Sequence, residues 1–138
     1  MNQEFILDEN SLDTLFEYFS KKVQNGDFIV LLRGDLASGK TTFVKKYLRF
    51  LGLEDIVTSP TFSLQAIYSN NIFHYDIYNK TLEEFLALGM LEEFEKSGLH
   101  FVEWGDENLE NLLIDYGFNP IVIEIKKLGN KRKYKLYA

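Results

Sequence analysis

The chain has 138 residues, 46% of them hydrophobic and 26% charged, a composition typical of one globular domain and not of a disordered or fibrous protein. Its net charge of −6, from 15 basic and 21 acidic side chains, argues against attraction to polyanions over the whole surface. The absence of cysteine excludes disulfides, thiol nucleophiles and thiolate metal sites.

The sequence gives no sign of export or membrane insertion. Its first ten residues, MNQEFILDEN, lack a basic region followed by an apolar core, and no run of about 18 apolar residues occurs. We therefore expect one domain over residues 1–138 that is soluble, cytoplasmic and without membrane contact.

A short strand and a helix are predicted first. EFIL (residues 4–7) has the composition of a strand. Apolar residues recur at helical spacing over residues 11–24, which predicts an amphipathic helix with Ser11 as its N-cap and its end at Asn25-Gly26.

A phosphate-binding motif lies between the next two elements. GDLASGKT (34–41) fits the pattern G-x-x-x-x-G-K-[ST]; it follows FIVLLR (28–33), an apolar run typical of a central strand, and precedes helical spacing over residues 41–52. In such a loop backbone N–H groups surround phosphates, Lys40 reaches the outer phosphates and the Thr41 hydroxyl can ligate Mg²⁺. We therefore predict nucleotide binding.

The remaining chain predicts hairpins and short helices. The elements are, in order, an antiparallel hairpin around Ser69-Asn70-Asn71, one or two helices over residues 81–98 broken near Gly89, a buried strand at 99–104, a helix at 107–117 and a closing hairpin from residue 120. Thr81 and Glu84 have the spacing of a capping box. Together these elements predict a mixed sheet between helical layers.

Two carboxylates end predicted strands. Asp76 and Glu103 are each the first acidic residue after a largely apolar run, where a metal held by a threonine and phosphates gains its carboxylate. Which of the two contacts the metal stays open. His74, two residues before Asp76, lies on the same strand face, and a packing role is favoured over proton transfer. Two histidines without cysteine argue against zinc.

Two missing features limit the nucleotide and the hydrolysis rate that we expect. The nearest match to the guanine-specific N-K-x-D element, NKTL at 79–82, lacks the aspartate, which favours ATP over GTP. None of the three arginines, Arg33, Arg49 and Arg132, lies in an obvious mobile lid. Because an arginine from a partner can accelerate hydrolysis greatly, we expect weak intrinsic hydrolysis that a partner stimulates.

A basic run lies near the C-terminus. KKLGNKRKYK (126–135) gathers six cations around Gly129-Asn130. The favoured interpretation is a solvated hairpin whose lysines protect an exposed sheet edge, and the alternative is contact with RNA or an acidic partner.

Four segments in this order resemble the bacterial TsaE family, formerly YjeE: GDLASGKTTFVKKYLRFLG, then TSPTFSL (58–64), HYDIY (74–78) and VEW (102–104). The resemblance spans residues 34–104 by motif and nearly the whole chain by the order of elements. It implies an α/β fold of the P-loop NTPase type, a three-layer αβα sandwich with a mixed, mainly parallel sheet and antiparallel hairpins. It also implies ATP and Mg²⁺ as ligands.

The resemblance implies a function as well. Family members are small ATPases that work with a threonylcarbamoyl transferase, TsaD, and its companion, TsaB, in placing a threonylcarbamoyl group on adenosine 37 of tRNA. This chain would couple ATP hydrolysis to turnover of that complex, with tRNA as the substrate of the assembly and its direct contact left open. A nucleotide-gated binding module and a small-molecule kinase are the alternatives.

The resemblance implies roles for the residues of this chain that match the family motifs. The loop residues Ala37, Ser38, Gly39, Lys40, Thr41 and Thr42 would cradle the phosphates. Lys40 would stabilise the transferring phosphoryl group, and Thr41 and Glu103 would hold Mg²⁺. Asp76 is the candidate for orienting the attacking water or the hydration of the metal.

Further roles follow for residues outside the loop. Thr61 belongs to a switch-like segment that would sense the γ-phosphate, and Pro60 stiffens that segment. Asn10 and Ser11 would lie near the adenine. Trp104 would pack near the nucleotide, meet a partner or pack in the core.

Two positions depart from the family pattern. Ala37 stands where the family commonly has glycine, and an alanine with positive φ costs about 1 kcal/mol. Asn79 stands where the family usually has arginine, and the neighbouring Lys80 could replace that charge.

We expect Lys80→Ala to lower partner-stimulated ATP hydrolysis, because Lys80 carries the positive charge next to Asn79, the position at which the family usually has arginine. A steady-state phosphate-release assay with the partners present measures the effect. Unaltered stimulated hydrolysis would remove Lys80 from the mechanism.

Overall fold

A computed structural model describes residues 2–24, 26–61 and 63–138. Asn25, within the predicted end of the first helix, and Phe62, within the 58–64 segment, lie outside the described residues. No helix within the described ranges is both long enough and apolar enough to cross a bilayer.

Strands and helices follow one another along the described chain. In order they are β1 (Asn2–Leu7), α1 (Asp13–Val23), β2 (Phe28–Arg33), α2 (Lys40–Phe50), β3 (Gln65–Tyr68), β4 (Ile72–Asp76), α3 (Leu82–Ala87), α4 (Met90–Phe94), β5 (Leu99–Glu103), α5 (Glu107–Asp115), β6 (Ile121–Leu128) and β7 (Lys131–Tyr137). A 3₁₀ turn at Ser69–Asn71 joins β3 to β4.

The strands form one mixed sheet with β2 at its centre. Its order is β1-β7-β6-β2-β5-β4-β3. Four adjacent strands, β6, β2, β5 and β4, pair in parallel, whereas β3 pairs antiparallel with β4, and β7 pairs antiparallel with both β6 and β1. The predicted apolar strand at 28–33 is therefore the central strand, and the predicted mixed, mainly parallel sheet is confirmed.

Helices cover both faces of the sheet. Alternation along β2 sends Val30 and Leu32 toward α1 and α2, and Ile29 and Leu31 toward α3, α4 and α5. Each face has its own apolar core, so a three-layer αβα sandwich results, as predicted. The carboxyl ends of β2, β4 and β5 meet at one edge of the sheet, beside the start of α2.

Several local predictions are confirmed. Thr81 and Glu84 form the capping box of α3: the Glu84 N–H donates to Thr81 Oγ1 and the Thr81 N–H donates to Glu84 Oε1, both at 3.1 Å. Gly89, with φ of 74°, separates α3 from α4. The hairpin of β3 and β4 turns at Ser69–Asn71, and the hairpin of β6 and β7 turns at the predicted Gly129-Asn130.

The prediction of Ser11 as the N-cap of α1 is wrong. The helix begins at Asp13 after Leu12, and no side-chain hydrogen bond caps it. The Ser11 N–H instead donates to the Asp8 carbonyl at 2.9 Å, closing a turn. This turn directs Leu12 into the core, where it is 3% exposed. Burial of Leu12 therefore sets the start of the helix in place of a serine cap.

The prediction that the basic hairpin protects an exposed sheet edge is also wrong. β7 lies inside the sheet, between β6 and β1, with Asn2 opposite Tyr137 and Leu7 opposite Arg132. The edge on this side is β1, because the first strand of the chain returns to pair with the last. The lysines of β7 consequently have another environment, a sheet face.

Ala37 stands where the family commonly has glycine, and it adopts a positive φ. Its φ is 59°, where a Cβ is unfavourable. We expect Ala37→Gly to raise the free energy of unfolding by up to about 1 kcal/mol, because glycine reaches this conformation without the steric cost.

Urea denaturation measures this effect, with Ala66→Gly in strand β3 as the matched control. The same change in an extended strand should lower stability by about 0.5–1 kcal/mol. A loss of stability at Ala37 comparable to that at Ala66 would contradict the role of backbone strain.

Candidate functional site

A pocket of about 540 Å³ opens at the carboxyl edge of the sheet. The loop between β2 and α2 forms one wall, and the ends of β4 and β5 form another. Eight of the predicted site residues line it: Ala37, Gly39, Lys40, Thr41, Thr42, Thr61, Asp76 and Glu103. The topology thus brings together segments that lie far apart in the sequence.

The loop after β2 depends on its two glycines. A Cβ at Gly34 would lie 2.5 Å from the carbonyl oxygen of Ile125 and would also press on Ser38 Oγ. Gly39 has φ of 113° at the point where α2 begins. The loop therefore curves tightly onto the helix N-terminus, where N–H groups and the helix dipole favour an anion.

Lys40 lies in the pocket with its amine against the loop. Its Nζ donates to the carbonyls of Gly34 at 2.7 Å and Asp35 at 3.0 Å, and lies 3.8 Å from the centre of the Trp104 ring. Burial lowers the pKa of Lys40, while the carboxylates of Glu103, Asp76 and Asp35 oppose the shift. A buried cation surrounded by carboxylates and held by neutral carbonyls can be recruited by a stronger anion.

Trp104 belongs to this pocket and not to either apolar core. Its ring packs on Lys40 and lies 4.8 Å from the ring of Tyr78, which is 39% exposed. Its φ of 70° is unusual for a large residue and turns the chain away from β5 immediately after Glu103. Contact of Trp104 with a partner stays a prediction.

A buried hydrogen-bond chain runs through Glu103. Its Oε2 accepts from the Thr41 hydroxyl at 2.7 Å and lies 2.6 Å from Nε2 of His74, which is fully buried. Nδ1 of His74 lies 2.9 Å from the hydroxyl of Tyr68. Burial, together with the charges of Glu103 and Asp55, raises the pKa of Tyr68 to about 12, so the hydroxyl stays protonated at neutral pH.

The hydrogen bonds on both sides of His74 indicate a structural role for its ring. An ionised carboxylate only accepts, so Nε2 of His74 donates to Glu103 while Nδ1 can accept from Tyr68. His74 faces the same side of β4 as Asp76, as predicted, and its ring is held by hydrogen bonds at both nitrogens. It fixes the Glu103 carboxylate beside Thr41.

Asp76 is the second buried carboxylate of the pocket, at 4% exposure. Its register partner in β5 is Glu103, so the two side chains stand side by side on neighbouring strands. Oδ2 of Asp76 accepts from the hydroxyls of Ser59 and, at 2.9 Å, Thr61, while Oδ1 accepts from the Tyr78 N–H at 3.0 Å. Asp76 thereby ties Ser59 and Thr61 to the end of β4.

Three predicted binding residues lie outside the lining of the pocket. Ser38 is 3% exposed behind the loop, where its Oγ has no hydrogen-bond partner among the described residues. Asn10 accepts from Lys46 Nζ at 2.9 Å, and Ser11 lies in the turn before α1. Their contacts with a nucleotide stay predictions.

Glu9 and Ser59 also line the pocket, although the sequence had not singled them out. Glu9 lines it from the loop before α1, and its carboxylate pairs with Arg132 at 2.9 Å. Arg132 also donates through Nε to the Ser38 carbonyl at 3.0 Å. Ser59, in the motif that carried the resemblance, could have been found as a polar neighbour of Pro60. Glu9 and Arg132 had no such signal, because only the pairing of β1 with β7 brings them together.

The protein groups alone make a small set of metal ligands. Among the described residues, no group of three or more His, Asp or Glu side chains could hold a metal ion. Thr41 Oγ1 and Glu103 Oε2 are two oxygen donors 2.7 Å apart. Such a pair suits Mg²⁺, which takes few protein ligands and completes its shell with phosphate and water. The residues present therefore fit this ion.

Comparison with known sequences identifies related proteins. A family model described as "Threonylcarbamoyl adenosine biosynthesis protein TsaE" matches residues 6–134. A Rickettsia typhi protein named "tRNA threonylcarbamoyladenosine biosynthesis protein TsaE" is 35% identical over 132 residues, which cover 91% of this chain and 86% of that protein. The protein of that name from Bacillus subtilis is 39% identical over 114 residues, 75% of this chain and 72% of that protein.

A third relative aligns over a shorter part. The protein of the same name from Treponema pallidum is 41% identical over 81 residues, which cover 56% of this chain and 60% of that protein. Among solved structures, the crystal structure of Bacillus subtilis YdiB matches with a TM-score of 0.71 at 23% identity, covering 99% of this chain and 84% of that one. This likeness supports the observed fold.

We expect His74→Phe to lower the free energy of unfolding by about 2–4 kcal/mol, because it keeps an aromatic ring but leaves the buried Glu103 carboxylate without one of its two donors. Tyr68→Phe removes only the outer hydrogen bond of the chain and should cost about 1 kcal/mol. Urea unfolding of both variants beside the wild type gives the comparison. Equal stability of His74→Phe and wild type would show that Glu103 does not depend on the histidine.

Proposed function

The chain belongs to the TsaE family, and from this membership and the geometry of the pocket we propose that it binds and hydrolyses ATP, with Mg²⁺, in the biosynthesis of threonylcarbamoyladenosine in tRNA. One observation carries the proposal: Lys40, Thr41, Asp76 and Glu103 converge in a single pocket against a glycine loop at a helix N-terminus. Each of these groups has a part in phosphoryl transfer.

The phosphates bind to the loop between β2 and α2. Its N–H groups and the dipole of α2 supply partial positive charge, and Lys40 supplies a full one. The amine now donates to two neutral carbonyls, those of Gly34 and Asp35. A phosphate oxygen offers a stronger, charge-assisted bond in their place. ATP is favoured over GTP because the sequence lacks the guanine-specific element.

Thr41 and Glu103 would hold the magnesium ion, which when bound neutralises charge developing on the phosphates. The hydrogen bond from His74 keeps the Glu103 carboxylate turned toward Thr41 and limits its movement. Glu103 is only 3% exposed, so water cannot replace a lost hydrogen-bond partner of its carboxylate. The orientation of this carboxylate therefore depends on His74 and Thr41.

Asp76 orients the attacking water. Its carboxylate already accepts three hydrogen bonds, which fix its plane, and it lines the pocket beside Glu103. Ser59 and Thr61 bond to the same oxygen of Asp76, so movement of the 58–64 segment would alter the environment of this carboxylate. Thr61 could thereby couple the presence of the γ-phosphate to the conformation of its own surface segment.

Efficient hydrolysis depends on partners, which we propose to be a TsaD-like transferase and a TsaB-like companion. None of the described arginines lines the pocket: Arg33 is bonded to Gly105 and Glu110, and Arg132 to Ser38 and Glu9. The rim carries exposed apolar groups, among them Leu36 at 68%. A missing arginine and an apolar rim both suit a site that another protein completes.

We expect the purified chain to hydrolyse ATP slowly with Mg²⁺ and at least tenfold faster when the transferase and its companion are added, since a partner arginine alone can contribute far more. Lys40→Ala should abolish both rates, and Lys45→Ala, an exposed lysine on the same helix, should leave them unchanged. Phosphate release measures all of them.

Other outcomes would redirect the proposal. Tight ATP binding with negligible turnover under every condition would indicate a nucleotide-gated binding module. Transfer of the γ-phosphate to an added nucleoside would indicate a small-molecule kinase. Equal rates for Lys40→Ala and wild type would contradict the assignment of the pocket.

A further inference from the structure

Four lysines lie on one face of the hairpin formed by β6 and β7. Tyr134 and Leu136 of β7 point into the core beside α1 and α2, so the alternating positions Lys131, Lys133 and Lys135 point to the opposite face. Lys126 of β6 is the register partner of Lys133 and shares that face. These four residues are called the lysine face below.

The lysine face places positive charges in a regular array. Three of its members follow one another at every second residue of β7, a spacing of about 6.8 Å along the strand. The fourth, Lys126, stands directly across from Lys133. Like charges directly opposite each other in a sheet destabilise it. The arrangement therefore costs folding stability, although the rest of the chain carries a net negative charge.

Neutralisation within the protein is incomplete. Lys133 is half-buried and lies 3.7 Å from Glu4, and Lys135 stands opposite Glu4 of β1 and Glu124 of β6 on the same face. Lys126 and Lys131 are exposed and make no ion pair within the described residues. Excess positive charge is thus concentrated near the turn at Gly129-Asn130, where both of these amines can approach a ligand.

Arg132 of the same hairpin has a different role. Arg132 points to the other face, where it holds Glu9 and the Ser38 carbonyl of the phosphate loop. The hairpin is therefore anchored directly to the nucleotide pocket, and the lysine face lies on the reverse side of the strand that makes this contact.

We propose that the lysine face binds the phosphate backbone of RNA. A strand of evenly spaced cations matches a polymer whose negative charges also follow one another in a line, and such contacts dominate the affinity of proteins for nucleic acids. The ring of Tyr137, on the same face and 5.3 Å from Lys135 Nζ, offers an aromatic surface beside the amines. The inference deepens the proposed function by giving the tRNA a contact surface on this chain.

The test is binding of an unmodified tRNA transcript, followed by fluorescence anisotropy over a range of salt concentrations. The variant Lys126→Gln/Lys131→Gln is compared with the matched pair Lys21→Gln/Lys22→Gln on α1, which makes the same change in net charge at two other exposed lysines. We expect at least tenfold weaker binding for the hairpin variant. The slope of log K against log salt concentration should also become shallower, by about the amount that two phosphate contacts contribute. The α1 pair should bind as wild type does.

Three outcomes would overturn the inference. They are the absence of RNA binding by the wild type at low salt, an equal loss in the α1 pair, and equally tight binding of polyglutamate at the same charge concentration, which would assign the face to an acidic protein. Thermal melting controls for folding: loss of repulsion should leave the melting temperature of the hairpin variant unchanged or higher.

ATP hydrolysis of the same proteins separates this inference from the proposed function. Lys126 and Lys131 lie outside the lining of the nucleotide pocket, so their substitution should leave hydrolysis by the isolated chain unchanged. Failure of RNA binding with intact hydrolysis overturns only the RNA contact. Failure of hydrolysis with intact RNA binding overturns only the proposed ATPase.

Discussion

The buried carboxylate of Glu103 is the group on which the site depends. A carboxylate removed from water is costly unless hydrogen bonds replace its hydration, and here Thr41 and His74 supply them. Thr41 lies in the first turn of α2, His74 lies in β4 and Glu103 ends β5. One carboxylate therefore links a helix and two strands at the pocket.

The parallel sheet makes this convergence possible. Because β2, β4 and β5 run in the same direction, the glycine loop after β2 and both carboxylates lie at one edge of the sheet. The apolar residues of β2 are buried on both sides of the sheet and anchor this edge in both cores. The hairpin of β6 and β7 then closes the loop from behind, through the contact of Arg132 with Ser38. The geometry of the pocket thus rests largely on packing and contacts that lie outside it.

The sequence predicted what depends on local pattern and missed what depends on long-range pairing. The phosphate loop, the order of strands and helices, the capping box at Thr81 and the strand-end carboxylates each have a local signature. The pairing of β1 with β7 has none, so the sequence indicates neither the place of the lysines inside the sheet nor the pair of Glu9 with Arg132. The bond between His74 and Glu103 likewise follows from the register of β4 on β5.

The most direct test of nucleotide binding uses the single tryptophan of the chain. The Trp104 ring lies 3.8 Å from the Lys40 amine, so phosphates that draw this amine away must change the surroundings of the indole. Titration with ATP, with and without Mg²⁺, should give a saturable change in Trp104 fluorescence, at lower ATP concentration when Mg²⁺ is present. No saturable change up to millimolar ATP would contradict the central claim that this pocket binds the triphosphate.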